Sequence, residues 1–371
     1  MILIISTVIL LIAFIYFFFL KNKNNVESQQ VDLDEVNAFL KINGGNHVSH
    51  LTFINDKRVF WTKDKDSLII YQKVGNKLIV LGDPVGKENH VKKAILEFVE
   101  YANLNFLQPV FYQASKKFLS AYKEAGYELF KLGEEARINL HDFTLVGKKV
   151  GKLRTSKNKF EKSGYKFKIV EPPYTDEFIN QIRTISDSWL GERKEKGFSV
   201  GYFCEQYISR FPLAILVNET DQPIAFATLA CDDQKEDKTI TIDLMRYMQD
   251  SPNGTMDMLF ISIFSWCKEH GYDWCSMGMA PLSHMGSEQS STKLEKIARF
   301  TFHYGNTFYN FKGLFEYKNK FSPLWEPRYL VYKRTFLPVL LLQLVYLIHF
   351  NKKNTNKIRP NYIKKMLKKV A

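Results

Sequence analysis

Apolar and polar positions alternate from Thr239 to Arg246, the pattern of a half-buried strand. A polar loop, 250–254, follows, and then an apolar run with helical spacing over about 256–270. A second strand is predicted to end in Met277-Gly278-Met279-Ala280-Pro281-Leu282. Asp243 interrupts the first strand, and Arg246 sits three residues on. In a regular strand Asp243 points away from Ile242 and Leu244, and Arg246 points away from Asp243. A carboxylate inside a buried strand is costly unless it is paired or used. Two readings follow, a structural ion pair under the helix or a functional group.

The same pattern divides the rest of the chain. A helix is predicted over 31–40 and strands over 58–61, 68–74 and 78–81, the last two joined by a turn at Gly75-Asn76. Val91, Ala94, Ile95, Phe98, Val99 and Ala102 have helical spacing. A strand at 110–112, a helix at 115–125 and a strand at 129–132 come next, and then Glu134 and Glu135 stand between apolar strands. The order then restarts. It runs strand 167–170, helix 174–190, a charged loop at 191–199, strands 214–217, 224–230 and 239–245, helix 256–270, strand 274–277, helix 293–304 and strands near 329–332. Strands alternating with helices indicate an α/β (α+β) layer architecture. Two halves of similar size suggest a duplicated fold, although no residue-level repeat accompanies them.

The ends read differently. Residues 1–20 are apolar but for Ser6 and Thr7, and Lys21 and Lys23 follow. About 20 such residues suffice for a helix to cross a bilayer. The basic n-region and small-residue cleavage site of a signal peptide are missing. A single N-terminal transmembrane anchor is therefore expected, with a linker over 21–30 and the bulk of the protein cytoplasmic by the positive-inside rule. Residues 336–350 form a shorter apolar run broken by Pro338, Gln343 and His349, followed by a tail with eight Lys/Arg and no acid over 351–371. The segment 336–371 reads as an interfacial membrane-associated helix with a basic tail, against a core helix with a disordered tail.

Composition sharpens the choice of partner. The formal net charge of +13 favours an anionic one, nucleic acid or acidic lipid. Much of it is concentrated: 148–168 carries eight Lys and Arg154 against Glu161 alone. A helix over 149–162 there is either a solvated face or an anion-binding rod, because the acids that would give i, i+4 pairs are lacking. Four cysteines without a CxxC spacing read as buried thiols in a reducing compartment. His47 and His50 stand i, i+3 without flanking ligands, so no metal site is expected.

Several motifs recur in order along about 58–333. They are Gly82-Asp83-Pro84-Val85-Gly86, Gly133-Glu134-Glu135-Ala136, Ser188-Trp189-Leu190, Lys194-Glu195-Lys196-Gly197-Phe198-Ser199 and Arg210-Phe211-Pro212. Asp243-Leu244-Met245-Arg246-Tyr247, Pro252-Asn253-Gly254-Thr255-Met256-Asp257, Gly278-Met279-Ala280-Pro281-Leu282, Phe308 to Leu314, and Lys318 to Tyr329 complete the set. With them the chain resembles the cytosolic catalytic domain of the phosphatidylglycerol lysyltransferase (MprF-type) family. The resemblance implies two tandem acetyltransferase-like (GNAT) domains, here over 31–165 and 166–335. It implies transfer of an aminoacyl group, usually lysyl or alanyl, from aminoacyl-tRNA to phosphatidylglycerol, with no metal or diffusible cofactor. One anchor is expected here in place of the family's multi-helix flippase region, which would leave translocation to a separate flippase partner if there is one.

Transfer of an ester to a hydroxyl needs orientation, a proton acceptor and stabilisation of an oxyanion. The resemblance puts Asp243 and Arg246 at the active site. Asp243 is the candidate to bind the donor's α-amino group or to help deprotonate the acceptor, and Arg246 to grip the lipid phosphate in a forked contact. Glu135 either binds a cationic side chain or makes an interdomain salt bridge. Glu192, Arg193 and Ser199 border the cavity if their loop folds over it, and are otherwise an ordinary charged loop. Gly278 and Pro281 are expected to shape backbone near the ester. Lys148, Lys149, Lys152 and Arg154 are candidates for tRNA phosphates. Two other functions compete. A CoA-dependent acetyltransferase would need a glycine-rich phosphate cradle, and 250–255 offers one glycine and an acid. A non-catalytic binder of tRNA or anionic lipid needs neither Asp243 nor Arg246.

Overall fold

The computed structural model describes residues 31–148, 150–232, 237–284 and 311–350. The chain opens with α1 (Leu33–Asn43), then β1 (Arg58–Trp61), β2 (Ser67–Val74), β3 (Lys77–Leu81) and the two-residue β4 (Val85–Gly86). Next come α2 (Val91–Leu104), β5 (Gln108–Ser115), α3 (Leu119–Glu124) and β6 (Glu128–Asn139). The second series begins with α4 (Gly151–Lys162), β7 (Lys166–Val170), α5 (Asp176–Leu190), α6 (Glu205–Ile208), β8 (Leu213–Val217) and β9 (Pro223–Asp232). It continues with β10 (Thr239–Tyr247), α7 (Thr255–Glu269), β11 (Trp274–Pro281), α8 (Phe311–Asn319), β12 (Leu324–Tyr332) and α9 (Leu337–Phe350).

Local chemistry explains many of these bounds. Asp32 caps α1 by accepting from the N–H groups of Asp34 and Glu35, both at 3.0 Å. α2 buries Val91, Ala94, Ile95, Phe98 and Ala102, the stripe its spacing predicts. Gly75, at φ +57°, makes the tight turn between β2 and β3.

One mixed sheet runs through both halves in the order β1-β2-β3-β5-β12-β6-β11-β10-β9-β8-β7, with β4 paired to β2. Its two parallel pairings are β3 with β5 and β10 with β11; the others described are antiparallel. Each parallel pair needs a crossover helix, α2 in one half and α7 in the other. Both halves thus repeat an antiparallel meander, a crossover helix, a parallel strand, a helix and a last strand. The last strands are exchanged. β6 lies against β11 of the second half, β12 against β5 of the first, and the two pair antiparallel with each other. By element order the strand near 329–332 belongs to the second half. Its hydrogen bonds place it in the first, because β5 and β6 leave a gap one strand wide.

Two apolar layers cover one side of the sheet, one under α2 and α3 and one under α4 and α7. On the other side a single layer joins both halves, with α5, α6, the 3-10 turn Ser49–Ile54 and α9 packed on it. α9 contributes Leu337, Leu340, Leu344 and Leu347 to that layer, so its inner face is core. Among the described residues no helix is long and apolar enough to cross a membrane. The anchor expected at 1–20, the helix at 293–304 and the tail at 351–371 lie outside the described residues.

Where β6 passes from β12 to β11, Gly133 adopts φ +151°, and a Cβ there would sit 2.3 Å from the carbonyl oxygen of Ala280. The three nearest atoms, from Ala280, Leu282 and Pro281, are all backbone, so no side chain can give way. Gly133→Ala is expected to destabilise the fold by at least about 2 kcal/mol in urea unfolding, the range of strained backbone substitutions.

Candidate functional site

The ladder between β9 and β10 slips between Ile242 and Met245. Asp243 and Leu244 together oppose Thr228, whose hydroxyl accepts the Leu244 N–H at 3.0 Å. This bulge adds one residue and changes the alternation. Ile240 and Ile242 still point to α7, but Leu244 joins the layer shared by both halves. Asp243 and Arg246 therefore lie on the same side of the sheet, against the opposed placement of a regular strand.

Asp243 is enclosed by three groups. Its Oδ2 accepts from the Tyr207 hydroxyl at 2.5 Å, and the ring nitrogen Nε2 of His50 lies 3.8 Å from Oδ1. Gly201 comes so close that an added Cβ would stand 2.0 Å from Oδ2, which leaves room only for glycine. Burial pushes this carboxyl up, but His50, Tyr207 and the Gly201 N–H outweigh it and hold it below the usual aspartate range. Asp243 is thus an ionised carboxylate inside the fold. His50 had no role at the sequence level; its spacing to His47 was the one available signal.

Arg246 is 2 % exposed, and both terminal nitrogens are taken. Nη1 donates to Ser186 at 2.5 Å and Nη2 to Glu195 at 2.6 Å, with the ring of Trp189 5.0 Å away. The forked grip on a lipid phosphate expected of it has no free fork in this structure. Instead Arg246 ties down the loop 191–203 through Glu195, a residue inside the quoted motif but without an assigned role. The loop is held at two more points. The Phe198 N–H faces Asp56 at 3.4 Å, and the Gly197 N–H donates to Ile348 of α9 at 2.9 Å. Asp56 is itself paired with buried Lys57 at 2.6 Å.

A cavity of about 490 Å³ opens on the same side, lined by His47, Asp83, Glu135, Arg137, Thr239, Thr241, Glu326 and Arg328 among others. A neighbouring one of about 260 Å³ includes His50, Phe53, Arg210, Phe211 and Thr241. Thr241 lines both, and Asp243 is the next residue on that side of β10, behind His50. In the larger cavity Glu135 is 1 % exposed. Arg328 donates to it through Nε at 2.8 Å and through Nη2, and Ser276 donates to its other oxygen. Burial raises this carboxyl, yet His47, Arg328 and Ser276 bring it down to about 2. His47 is pushed down to about 3, first by burial and next by Arg328, so it is neutral at pH 7 and Arg328 carries the compensating charge. Glu135 thus makes an ion pair between strands and also lines the cavity. Lys318 donates to the carbonyls of Gly278 and Met279 at 2.9 and 3.1 Å, and burial brings it down to about 7 against the pull of Glu135.

The family model described as "Phosphatidylglycerol lysyltransferase, C-terminal" matches residues 37–332. The chain belongs to that family. A phosphatidylglycerol lysyltransferase of Bacillus subtilis is 39% identical over 328 residues, which are 88% of this chain and 38% of that protein. One from Staphylococcus epidermidis is 38% identical over 82% of this chain and 36% of its own length. This chain therefore spans little more than a third of these relatives. The solved structure of L-PGS from Bacillus licheniformis is 40% identical, with a TM-score of 0.78, covering 88% of this chain and 99% of that one.

The other residues singled out as candidates lie apart from the two cavities. Glu192 and Arg193 are exposed; Arg193 lies over Trp189 at 4.1 Å and donates to Leu190 O at 3.2 Å. Ser199 is half-buried next to Phe198. Gly278, at φ +76°, shapes the backbone that Lys318 grips, and Pro281 opposes Gly133. Lys148 and Lys152 are exposed, Arg154 donates to Leu145 and Gly147 carbonyls at 2.7 and 3.3 Å, and Lys149 lies outside the described residues. α4 packs Leu153 and Phe160 against the α7 layer, so this cationic group sits across the sheet from Asp243. The start of α7 lies against α4, where a Cβ on Gly254 would stand 2.6 Å from Ser156 Oγ.

The His47 shift fixes a pH dependence. A base whose folded value lies below its unfolded one loses stability as pH falls from the unfolded toward the folded value. Stability is expected to fall from about pH 6.5 toward pH 3 on this account, and His47→Gln to flatten that window in urea unfolding. Glu135, with its value depressed, acts only lower, as pH falls through about 4 toward 2.

Proposed function

We propose that this chain transfers an aminoacyl group, lysyl first, from aminoacyl-tRNA to the terminal glycerol hydroxyl of phosphatidylglycerol at the cytoplasmic membrane face. The observation that carries the reading is an ionised, enclosed Asp243 whose one cavity-facing neighbour is His50. Family membership supplies the reaction class, and the relatives' names supply lysyl. The duplicated strand order supports two acetyltransferase-like units, 31–165 and 166–335, with exchanged last strands.

The acceptor hydroxyl attacks the ester carbonyl of the charged tRNA. Its proton goes to the Asp243–His50 pair, and the tetrahedral oxyanion collapses with loss of the ribose oxygen. The pair returns the proton to that oxygen, so no proton or electron is left over. Asp243 acts through His50, which it holds in place and whose positive charge it balances once the proton is taken. Arg246, through Glu195, holds the loop 191–203 over this face; it is a positioning residue in this scheme. Glu192, Arg193 and Ser199 belong to the same loop. Lys148, Lys149, Lys152 and Arg154 would meet tRNA phosphates away from the reacting ester, with the salt dependence of such contacts.

Asp243→Asn keeps the shape and removes the charge. With lysyl-tRNA and phosphatidylglycerol vesicles, its transfer rate is expected to fall by about 10² or more, the scale of a lost general base. Arg246→Ala is expected to lose transfer too, and to make the loop 191–203 exchange its amides faster. Transfer at the wild-type rate by Asp243→Asn in a folded protein would sink the assignment.

A further inference from the structure

Exposed apolar side chains on strained backbone mark a surface that the chain alone leaves unsatisfied. The turn between α2 and β5 shows both features. Phe106 is 93% exposed, and its φ of +56° is in the left-handed region that bulky residues seldom adopt. Leu104 beside it is 75% exposed, and Leu96, about two turns back on α2, is 51% exposed.

The start of α9 lies at the same edge. Thr335 Oγ1 is 2.6 Å from Lys77 Nζ and 3.4 Å from Gln108 Oε1, and Lys77 also donates to Gln108. Gln108 is two residues from Phe106, and Thr335 adjoins Phe336, which is 73% exposed. While the inner side of α9 is core, Leu342 and Val345 face outward. The far end of the helix meets the functional loop, where Ile348 accepts from Gly197.

Charge selects the occupant. Lys333 and Arg334 stand exposed just before α9, and residues 351–371 directly after it carry eight Lys/Arg and no acid. Glu100, on the flank of the turn, faces Lys63 at 3.7 Å. An apolar tip at Phe336 bordered by Lys333 and Arg334, with the apolar turn at Phe106 on the same edge, fits the surface of an anionic bilayer.

We propose that the α2–β5 turn and the outer side of α9 form a docking face for an anionic lipid bilayer, with Phe106 and Phe336 seated among the headgroups. The inference rests on the lipid-acceptor reading above and adds how the acceptor membrane is approached. α9, with 14 residues, is about 21 Å long and would connect the seated turn with the loop tied to Arg246.

The test uses the full chain on vesicles of phosphatidylcholine and phosphatidylglycerol that contain a diazirine-bearing phosphatidylglycerol. After irradiation, labelled peptides are mapped by mass spectrometry. Label at 104–106 and 336–345 is expected, besides any at 1–20 and 351–371. Label confined to 1–20 and 351–371 would overturn the proposal. So would protection of the face by a second copy of the chain, seen as a dimer shielding the same peptides from hydrogen exchange. Phe106→Asn relieves the left-handed backbone, since Asn adopts it more readily. With Phe336→Asn it is expected to keep the thermal stability and to cut labelling of this face roughly tenfold. Unchanged labelling in that folded double variant would also overturn it. Labelling needs no tRNA. Docking without product would therefore count against the transfer reading alone, and product without label at this face against the docking face alone.

Discussion

Glu135 and Arg328 meet across the pairing of β6 with β12, in the middle of the sheet. Neither charge is stable there without the other, because a buried ion that loses its partner keeps its desolvation cost. The pair thus holds together two strands that come from opposite halves of the chain. With that exchange, each half borrows its last strand from the other, and the sheet continues without a break. The larger cavity opens on this junction, so the site can form only when both halves are folded and paired.

A second constraint sits in β10, two strands beyond β6 in the order. One extra residue in β10 brings Asp243 and Arg246 to the same side of the sheet. From there Asp243 gathers His50 of the first half and Tyr207 and Gly201 of the second. Arg246 reaches outward to Glu195 and fixes the loop that continues to Gly201. The carboxylate and the loop that encloses it are positioned by one irregular strand. Such preorganisation is what stabilisation of a charged intermediate requires.

The periodic elements were legible in the sequence. The stripe of α2, the hairpin at Gly75 and the strand with Asp243 all follow local rules. What lay beyond them was non-local. The exchange of β6 and β12 depends on a gap in a distant sheet, and nothing in either strand's own pattern records it. The bulge at Asp243 rests on the hydroxyl of Thr228, which takes the N–H of Leu244, 16 residues further along the chain. Arg246 read as a free phosphate fork because its partners, Ser186 and Glu195, come from other segments. His50 stands in a short 3-10 turn without periodicity, so its spacing to His47 is visible in the sequence but its approach to Asp243 is not. The basic helix α4 was visible as charge, but only the packing of Leu153 and Phe160 told which side of the sheet it would occupy.

Whether the enclosed carboxylate drives aminoacyl transfer to a membrane lipid is read directly from a mass spectrum of lipids extracted from cells that make this chain, beside cells that make Asp243→Ala. A new basic phospholipid, aminoacylated phosphatidylglycerol, is expected in the first extract and absent from the second, at equal amounts of folded protein. The same new lipid in both extracts, or in neither despite available charged tRNA, would contradict that expectation.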